Sequence, residues 1–180
     1  MNNYRNCHDY DYRDECRRPI FENDYCTQRE SYSCCESHDN DDYDFGPNPV
    51  VLDLDNITMS NKTFRTSIWT GESMQAVVMC VEPCAFSGVM CLEDADWFID
   101  VVSGELKIEL GKYRDDLCYC KTVKAGCSIF IPAGTWVKAG NPSKTKPLKL
   151  LEFYSSAQFP RGTVDCTKEE AEARFNRGRN

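Results

Sequence analysis

The chain has 180 residues and a mass of 20.6 kDa, enough for one domain with a buried core and some surplus. Its formal net charge of -8 argues against a nucleic-acid binder and against a polybasic membrane surface, because both need clustered Lys and Arg. No apolar run approaches the roughly 20 residues that span a bilayer, and the start lacks the apolar stretch of a signal peptide. We therefore expect a soluble chain made in the cytoplasm.

Cysteine is the outlying residue type. The chain has 12 cysteines, far above ordinary cytosolic usage. It has two histidines, His8 and His38, and both lie at the start of the chain. A mononuclear metal site built on several histidines of the folded part is therefore excluded.

Residues 1–48 differ in composition and hydrophobic pattern from the rest of the chain. Acidic side chains far outnumber basic ones there, aliphatic residues are few, and no strand-like or helix-like period is present. Such a segment cannot bury enough apolar surface to offset its ordering entropy, so we expect a disordered or loosely ordered tail. The tail is also rich in tyrosine and holds thiols that a merely solubilising segment would not need: Cys7, Cys16, Cys26, Cys34 and Cys35.

Residues 49–166 consist of short β-rich runs separated by Gly, Pro and Asx turns. Regular spacing without an intervening helical pattern predicts an all-β barrel or two-sheet jelly roll. The predicted strands are VVLDLD, TFRTSIWTG, MQAVVMCVEP, AFSGVMCLED, DWFIDVVSG, ELKIELG, DLCYCKTV, CSIFIPAG, TWVKAGN and PLKLLEFYS. Residues 167–180 are predicted to hold a short helix, which the capping box of Thr167 and Glu170 opens and which ends at about Phe175.

Two glycine-containing motifs in this β-rich part indicate a family. Gly126, Pro132, Gly134 and Asn141 have the spacing of the second cupin motif, and Gly104 matches the terminal glycine of the first. The chain thus resembles the cupins, in particular small single-domain bacterial cupins, from about residue 50 to about residue 175. The resemblance implies a cupin-like jelly-roll barrel, which the disordered or loosely ordered tail precedes and the short helix follows.

The positions that hold the metal in this family are changed here. Val137 occupies the histidine position of the second motif, while Leu92 and Asp94 replace two histidines and Trp97 replaces the glutamate of the first. Asp165 stands where a further histidine is common. Family members hold Fe, Mn, Ni or Zn with imidazole and carboxylate groups. The resemblance therefore implies a barrel kept as a scaffold, with no catalytic residue, metal or cofactor, and with Trp97 filling the pocket.

The cysteines of the folded part have several interpretations. Cys91 and Cys127 lie in apolar runs, where a thiol can act as a small buried hydrophobe. Cys118 and Cys120 are two apart in a predicted strand, so we expect them on one face. Spacings for a zinc site are poor, and no histidine of the folded part can activate a catalytic thiol. That leaves disulfides, which a flexible tail can form between chains; besides the tail cysteines, the candidates are Cys80, Cys84, Cys118, Cys120 and Cys166.

We expect one of three functions. The first is a non-catalytic structural protein of a bacterial spore surface layer, either coat or exosporium, made in the mother-cell cytoplasm without a signal peptide. Such a protein would assemble with itself, and with other cysteine-rich spore proteins, through exposed strands and edges that intermolecular disulfides then lock. The second is a metal-free cupin that binds a sugar or metabolite in an interior cavity. The third is a metal-dependent cupin enzyme whose ligands are displaced.

Overall fold

The computed structural model describes residues 43–177, with side chains as far as Arg174. Strands dominate this part of the chain. They are β1 (Arg65–Thr70), β2 (Gln75–Val81), β3 (Met90–Cys91), β4 (Trp97–Ser103), β5 (Glu105–Gly111), β6 (Tyr119–Lys124), β7 (Ser128–Ile131), β8 (Trp136–Gly140), β9 (Leu148–Tyr154) and β10 (Val164–Asp165). The helices are α1 (Leu54–Ser60) and α2 (Lys168–Arg177).

The strands form two antiparallel sheets that face each other. The larger sheet has the order β10-β1-β2-β9-β4-β7, and the smaller has the order β3-β8-β5-β6. Most neighbours are distant in sequence; β2, for example, pairs with β9 from Gln75 opposite Tyr154 to Val81 opposite Leu148. This is the predicted all-β jelly-roll barrel, and the prediction of the fold class is confirmed.

Apolar side chains of both sheets meet between the layers. They alternate along each strand with outward-facing residues, as the period of a half-buried strand requires. The inner core includes Val77, Met79, Val81, Trp97, Ile99, Val101, Leu106, Ile108, Ile131, Val137, Leu148, Leu150 and Tyr154. A smaller cluster lies on the outer face of the larger sheet, where α1 covers Ile68, Ala76, Val78 and Leu151.

The first predicted strand, VVLDLD, is wrong. Its last residue but two, Asp53, caps α1 by accepting a hydrogen bond from the Asn56 N–H at 3.1 Å. Leu54 and Ile57 follow at helical spacing and pack on the larger sheet. The alternation of apolar and acidic residues suggested a strand, but Asp53 is a helix cap and the residues after it form α1. The predicted strand AFSGVMCLED is interrupted, because Phe86 forms an isolated β-bridge with Gly140 and only Met90–Cys91 forms a strand.

The glycine turns of the cupin-like motif are present. Gly126 and Gly134 have φ of 85° and 78°, in the region that favours glycine. A Cβ atom at either position would meet nothing within 4 Å, so the backbone conformation and not the available space requires glycine. These turns lead into β7 and β8, and they shape the barrel whether or not an ion is bound.

The C-terminal helix begins much as predicted. The Thr167 hydroxyl accepts a hydrogen bond from the Glu170 N–H at 3.3 Å, and the Glu170 carboxylate accepts one at 2.7 Å from the N–H of Cys166. The second bond reaches one residue further back than in a standard capping box. Within residues 43–177, neither helix has the length and apolar character needed to cross a membrane.

The folded body begins upstream of residue 48, where we placed the end of the tail. Asp44 is 4% exposed. Its carboxylate accepts hydrogen bonds from the N–H groups of Gly46, Thr70 and Gly162, at 3.0, 2.9 and 3.1 Å, and from the Thr70 hydroxyl at 2.6 Å. One acidic residue of the predicted tail therefore ties the chain to β1 and to the loop before β10. Residues 1–42 lie outside the described part.

Candidate functional site in the barrel interior

Three of the four positions that the cupin resemblance assigns to metal ligands meet at one end of the barrel. Leu92, Trp97 and Val137 line the same shallow depression. Its empty space is about 190 Å³ including the part open to solvent, and a water molecule has no room inside it. Asp94 is exposed in the loop before β4 and does not line the depression. The ligand positions therefore form a closed apolar surface.

Trp97 occupies the interior at this end. It is 7% exposed, and its ring stacks on that of Tyr154 with a centroid separation of 5.6 Å and an interplanar angle of 19°. Tyr154 in turn meets Phe159 edge-on, at 5.6 Å and 84°. Each such pair contributes about 1 kcal/mol beyond the buried area. The glutamate position of the cupin motif is thus part of an aromatic column within the core.

The second motif is structural throughout. Val137 is 2% exposed and belongs to the inner core. Asn141 is fully buried, and its amide donates to the carbonyls of Val81 and Lys146 at 3.0 and 2.8 Å. Its Oδ1 accepts a hydrogen bond from the Ser143 N–H at 2.9 Å. The matched asparagine therefore holds the loop after β8, and the histidine position supplies packing.

The side chains at these positions do not fit a metal ion. Leu92, Trp97 and Val137 have no lone pair that a metal would take, and Asp94 lies outside the barrel. Across residues 43–177, no three His, Cys, Asp or Glu side chains are grouped so that they could hold an ion. The site offers no ligand set for metal chemistry.

A buried carboxylate lies beside the aromatic column. Glu152 is on the inward side of β9 and is 1% exposed. The Tyr154 hydroxyl donates to its Oε2 at 2.5 Å. Burial raises the pKa of Glu152 from 4.5 to about 7, and the Tyr154 hydrogen bond, the charge of Arg65 and the Trp97 indole oppose this rise. Burial and the neighbouring carboxylate also raise the pKa of the Tyr154 phenol well above its usual value.

Two buried donors near this carboxylate are incompletely satisfied. The Trp97 Nε1–H is close enough to Glu152 to favour its ionised form, yet it makes no hydrogen bond of acceptable geometry with a described residue. The Nε–H of Arg65 is also buried, and it likewise makes no hydrogen bond with a described residue. The ionised carboxylate would therefore have one well-formed hydrogen bond, which is too little to replace the water it loses.

Arg65 links this interior cluster to the C-terminal segment. Its Nη1 lies 3.3 Å from Asp165, and its guanidinium stacks 4.0 Å from the centre of the Phe159 ring. Asp165 is fully buried and also accepts a hydrogen bond from the Arg174 Nε–H at 2.8 Å. The residue that stands where a histidine is common in cupins therefore joins β1, β10 and α2 by two ion pairs.

Gln75 holds the segment after β9 that contains Gln158 and Phe159. Its Oε1 accepts hydrogen bonds from the N–H groups of Gln158 and Phe159 at 3.0 and 3.1 Å. Its amide donates to the Phe159 carbonyl and to the Thr70 hydroxyl, each at 2.9 Å. These bonds hold the Phe159 ring against Tyr154, whose hydroxyl donates to the Glu152 carboxylate.

The titratable group of the interior cluster is Glu152, whose pKa burial raises to about 7 and whose side chain is 1% exposed. Our sequence reasoning missed Glu152. A signal was present in LKLLEFY, because strand alternation places Glu152 on the same side as Leu148, Leu150 and Tyr154. A single acid among inward-facing apolar residues marks a buried carboxylate.

The cysteines of the folded part lie at different depths. Cys127 is a free thiol, and it is exposed ahead of β7 rather than buried. Cys80 is a free, half-buried thiol in β2. Cys120 is buried within β6, whereas Cys118 is exposed ahead of that strand. Cys127 is therefore a further candidate for cross-linking.

Two more predicted cross-linking residues are half-buried in loops. Cys84 follows β2, and Cys166 lies between β10 and α2. The candidates of the tail lie outside the described residues: Cys7, Cys16, Cys26, Cys34 and Cys35. Their pairing stays a prediction.

Three known proteins each match about two thirds or more of this chain. The sequence is 35% identical to YrkC, an uncharacterized protein of Bacillus subtilis strain 168, over 130 residues that cover 72% of this chain and 69% of YrkC. The chain belongs to the family of YrkC. The crystal structure of BH2720 from Bacillus halodurans matches with a TM-score of 0.71 and 34% identity, covering 73% of this chain and 98% of that chain.

A viral protein is also similar to this chain. L612 of Acanthamoeba polyphaga mimivirus, also uncharacterized, is 31% identical over 121 residues, covering 67% of this chain and 74% of L612. No protein-family model matches the sequence. An RmlC-like cupin from Shewanella frigidimarina matches less well, with a TM-score of 0.45 and 21% identity, covering 52% of this chain and 76% of that chain.

Proposed function

We propose that this YrkC relative is a non-catalytic structural cupin that assembles with copies of itself in a bacterial spore surface layer, the coat or exosporium. The observation that carries the proposal is the filled interior. Leu92, Trp97 and Val137 close the end of the barrel where the resemblance places metal ligands. A barrel packed in this way is suited to act as a rigid block, because a fold can persist after its original site is lost.

The thiols support cross-linking between copies. The sequence has 12 cysteines, and the exposed free thiol of Cys127 can be reached by another chain. A chain made in a reducing cytoplasm keeps its thiols until that cell lyses, and oxidation then joins neighbours that already touch. Tyrosines of the N-terminal segment would allow dityrosine links as a supplement.

The spore location is the most specific part of the proposal. Two relatives come from Bacillus species, which form endospores. A relative also occurs in mimivirus, so the family as a whole is not tied to spores. The bacterial host is therefore what the resemblance to small bacterial cupins implies, and the cysteine-rich and tyrosine-rich composition of this chain supports a cross-linked layer, with other cysteine-rich spore proteins as further partners.

The two alternatives fit the interior less well. A sugar or metabolite site needs a cavity of about 300 to 1,000 Å³, whereas the depression here has about 190 Å³ and much of that is open to solvent. An enzyme with displaced metal ligands needs several donors around an open position. The carboxylate in this interior belongs to Glu152, and it accepts a hydrogen bond from the Tyr154 phenol. The rings of Trp97 and Phe159 pack against that phenol.

Comparison of non-reducing and reducing gels tests the proposal. Native protein would be extracted from purified spores after free thiols are blocked with an alkylating agent, and it would be detected on the gels with an antibody. A strain that lacks the gene controls for the specificity of that antibody. We expect a ladder of oligomers that collapses to monomer when a reductant is added. Monomer alone under non-reducing conditions, or absence of the protein from the spore surface fraction, would contradict the proposal.

Metal analysis of the same material distinguishes a metal-dependent enzyme from the proposed structural protein. Stoichiometric Fe, Mn, Ni or Zn in the purified protein would favour an enzyme with displaced ligands. We expect metal well below one equivalent, because the interior lacks a ligand set.

A further inference from the structure

Two outward-facing side chains of the smaller sheet are buried. Leu106 and Ile108 of β5 belong to the inner core, so Lys107 between them lies on the outer face of the sheet. Cys120 of β6 is opposite Glu109, so it lies on that same face. Lys107 and Cys120 are each 7% exposed. Side chains in the middle of an open sheet face keep more contact with water than this, so this part of the face is covered.

The cover is confined to one part of the face. The Lys107 ammonium lies 3.1 Å from the Glu109 carboxylate, and the Lys107 side chain is 8% exposed. Lysine is rarely buried to this extent. On the same face, in the neighbouring strand, the Lys124 side chain is 77% exposed. Lys107, Glu109 and Cys120 therefore form a covered patch, which excludes the Lys124 end of β6.

The described helices lie elsewhere on the barrel. α1 packs on β2, β4 and β9, which belong to the larger sheet. α2 lies beside β10. The larger sheet itself faces the inner side of β5, where Leu106 and Ile108 pack. The described helices therefore do not account for the burial of the covered patch.

A disulfide lies beside the covered patch. Cys118 immediately precedes β6, two residues from Cys120, and it is disulfide-bonded. Cys166 is also disulfide-bonded, and it follows the edge strand β10. Because β6 lies near β4, at the other side of the larger sheet from β10, Cys118 and Cys166 are too far apart to bond to each other. Cys80 and Cys127 are free thiols.

Residues 1–42 have the thiols, the charge and the length to cover this patch. They hold five cysteines, 11 acidic side chains and five basic ones. The outer face around the covered patch has more lysines than glutamates, so the net charges are opposite and favour contact. These side chains are Lys107, Lys124, Lys138, Glu105 and Glu109. At about 3.4 Å per extended residue, 20 residues reach about 70 Å, well beyond the width of a domain of this size.

We propose that residues 1–42 bind the outer face of the smaller sheet at the covered patch, where a disulfide joins Cys118 to one of their cysteines. The bond at Cys118 is formed within a single chain in this structure, so this chain and not a second copy supplies the occupant. This binding is independent of the spore layer. It takes Cys118 out of the set available for links between chains and leaves the exposed free thiol of Cys127.

Disulfide mapping identifies the occupant. Equal amounts of isotope-labelled and unlabelled full-length chains would be mixed in reducing buffer, dialysed into air-saturated buffer, thiol-blocked and digested without reduction. We expect mass spectrometry to find the peptide that contains Cys118 linked to a peptide of residues 1–42 that carries the same isotope. A linked pair with mixed isotopes would mean that a second copy supplies the partner, and it overturns the proposal. An unlinked Cys118 overturns it too.

Acetylation of lysines measures the cover itself. In the full-length wild type, Lys107 should react with an amine-reactive reagent at least about 10-fold more slowly than the exposed Lys124. Cys118→Ser should speed the reaction of Lys107 by at least about 5-fold, because non-covalent contacts alone then hold the segment. Cys127→Ser is the matched control, since it removes an exposed free thiol beside the larger sheet, and it should leave the rate unchanged.

Two results of this labelling contradict the binding of residues 1–42. If Lys107 reacts as fast as Lys124 in the wild type, the patch is open to water. If Lys107 is protected equally in the wild type and in Cys118→Ser, the bond at Cys118 does not hold the cover. Either result would leave the disulfide ladder on non-reducing gels as a separate test of the proposed function.

Discussion

Replacing Glu152 with glutamine should make the barrel less sensitive to pH. The side chain of Glu152 is 1% exposed, and burial raises its pKa from 4.5 in water to about 7. Each pKa unit corresponds to about 1.4 kcal/mol, so the difference amounts to about 3 kcal/mol. Because the folded-state pKa is the higher one, folding takes up a proton between these values. The stability that this group contributes is complete below pH 4.5 and is lost as the pH rises through about 7.

Glutamine does not titrate, and its carbonyl can accept the hydrogen bond from the Tyr154 hydroxyl. The wild-type chain should therefore lose about 3 kcal/mol relative to Glu152→Gln between pH about 4.5 and pH about 8. Other titrations act equally on both proteins and cancel in the difference. The assay is urea unfolding of both proteins in reducing buffer at several pH values, followed by tryptophan fluorescence.

Glu93→Gln is the matched control, because Glu93 is exposed in the loop before β4. Its difference from the wild type should stay constant with pH. If the difference between Glu152→Gln and the wild type also stays constant to within about 0.5 kcal/mol, Glu152 is ionised in a well-solvated site and the description of the interior is wrong.

Three further substitutions probe the interior and its link to the C-terminal segment. Trp97→Ala should cost about 4 kcal/mol in urea unfolding and leave a cavity that added indole partly refills, whereas a loss below about 1 kcal/mol would mean that the ring does not pack the core. Asp165→Asn should cost about 3 kcal/mol because Arg65 and Arg174 lose their partner, and raising the salt concentration of the wild type should not reproduce that loss. Tyr154→Phe should cost about 2 kcal/mol at pH about 8 and less at pH about 5, since the phenol stabilises the ionised carboxylate; a loss independent of pH would exclude that role.

Much of the barrel could be predicted from local patterns. The strand ELKIELG coincides with β5, and the turn glycines Gly126 and Gly134 have the backbone conformation that their motif requires. These features depend on residues close together in the chain. The replaced ligand positions could also be read from motif spacing, because Trp97 and Val137 need only the strand register to reach the interior.

Other features depend on contacts between distant residues. The buried Asp44 bonds to a strand 26 residues away and to a loop 118 residues away, so acidic composition alone suggested a solvated tail. The exposure of Cys127 depends on β7 lying at the edge of its sheet, which the topology decides. Glu152 was missed because a charged residue in a strand usually faces water, and only the alternation of its neighbours indicates otherwise.

The central claim is that this YrkC relative serves as a cross-linked building block, and mapping its disulfides in native material tests that claim most directly. Thiol-blocked spore protein would be digested without reduction, and the linked peptides identified by mass spectrometry. A peptide joined to a second copy of itself, such as the one that contains Cys127, can come only from two chains. We predict such self-linked peptides in spore protein and their loss on reduction. Finding every cysteine either free or linked within one chain would contradict the account.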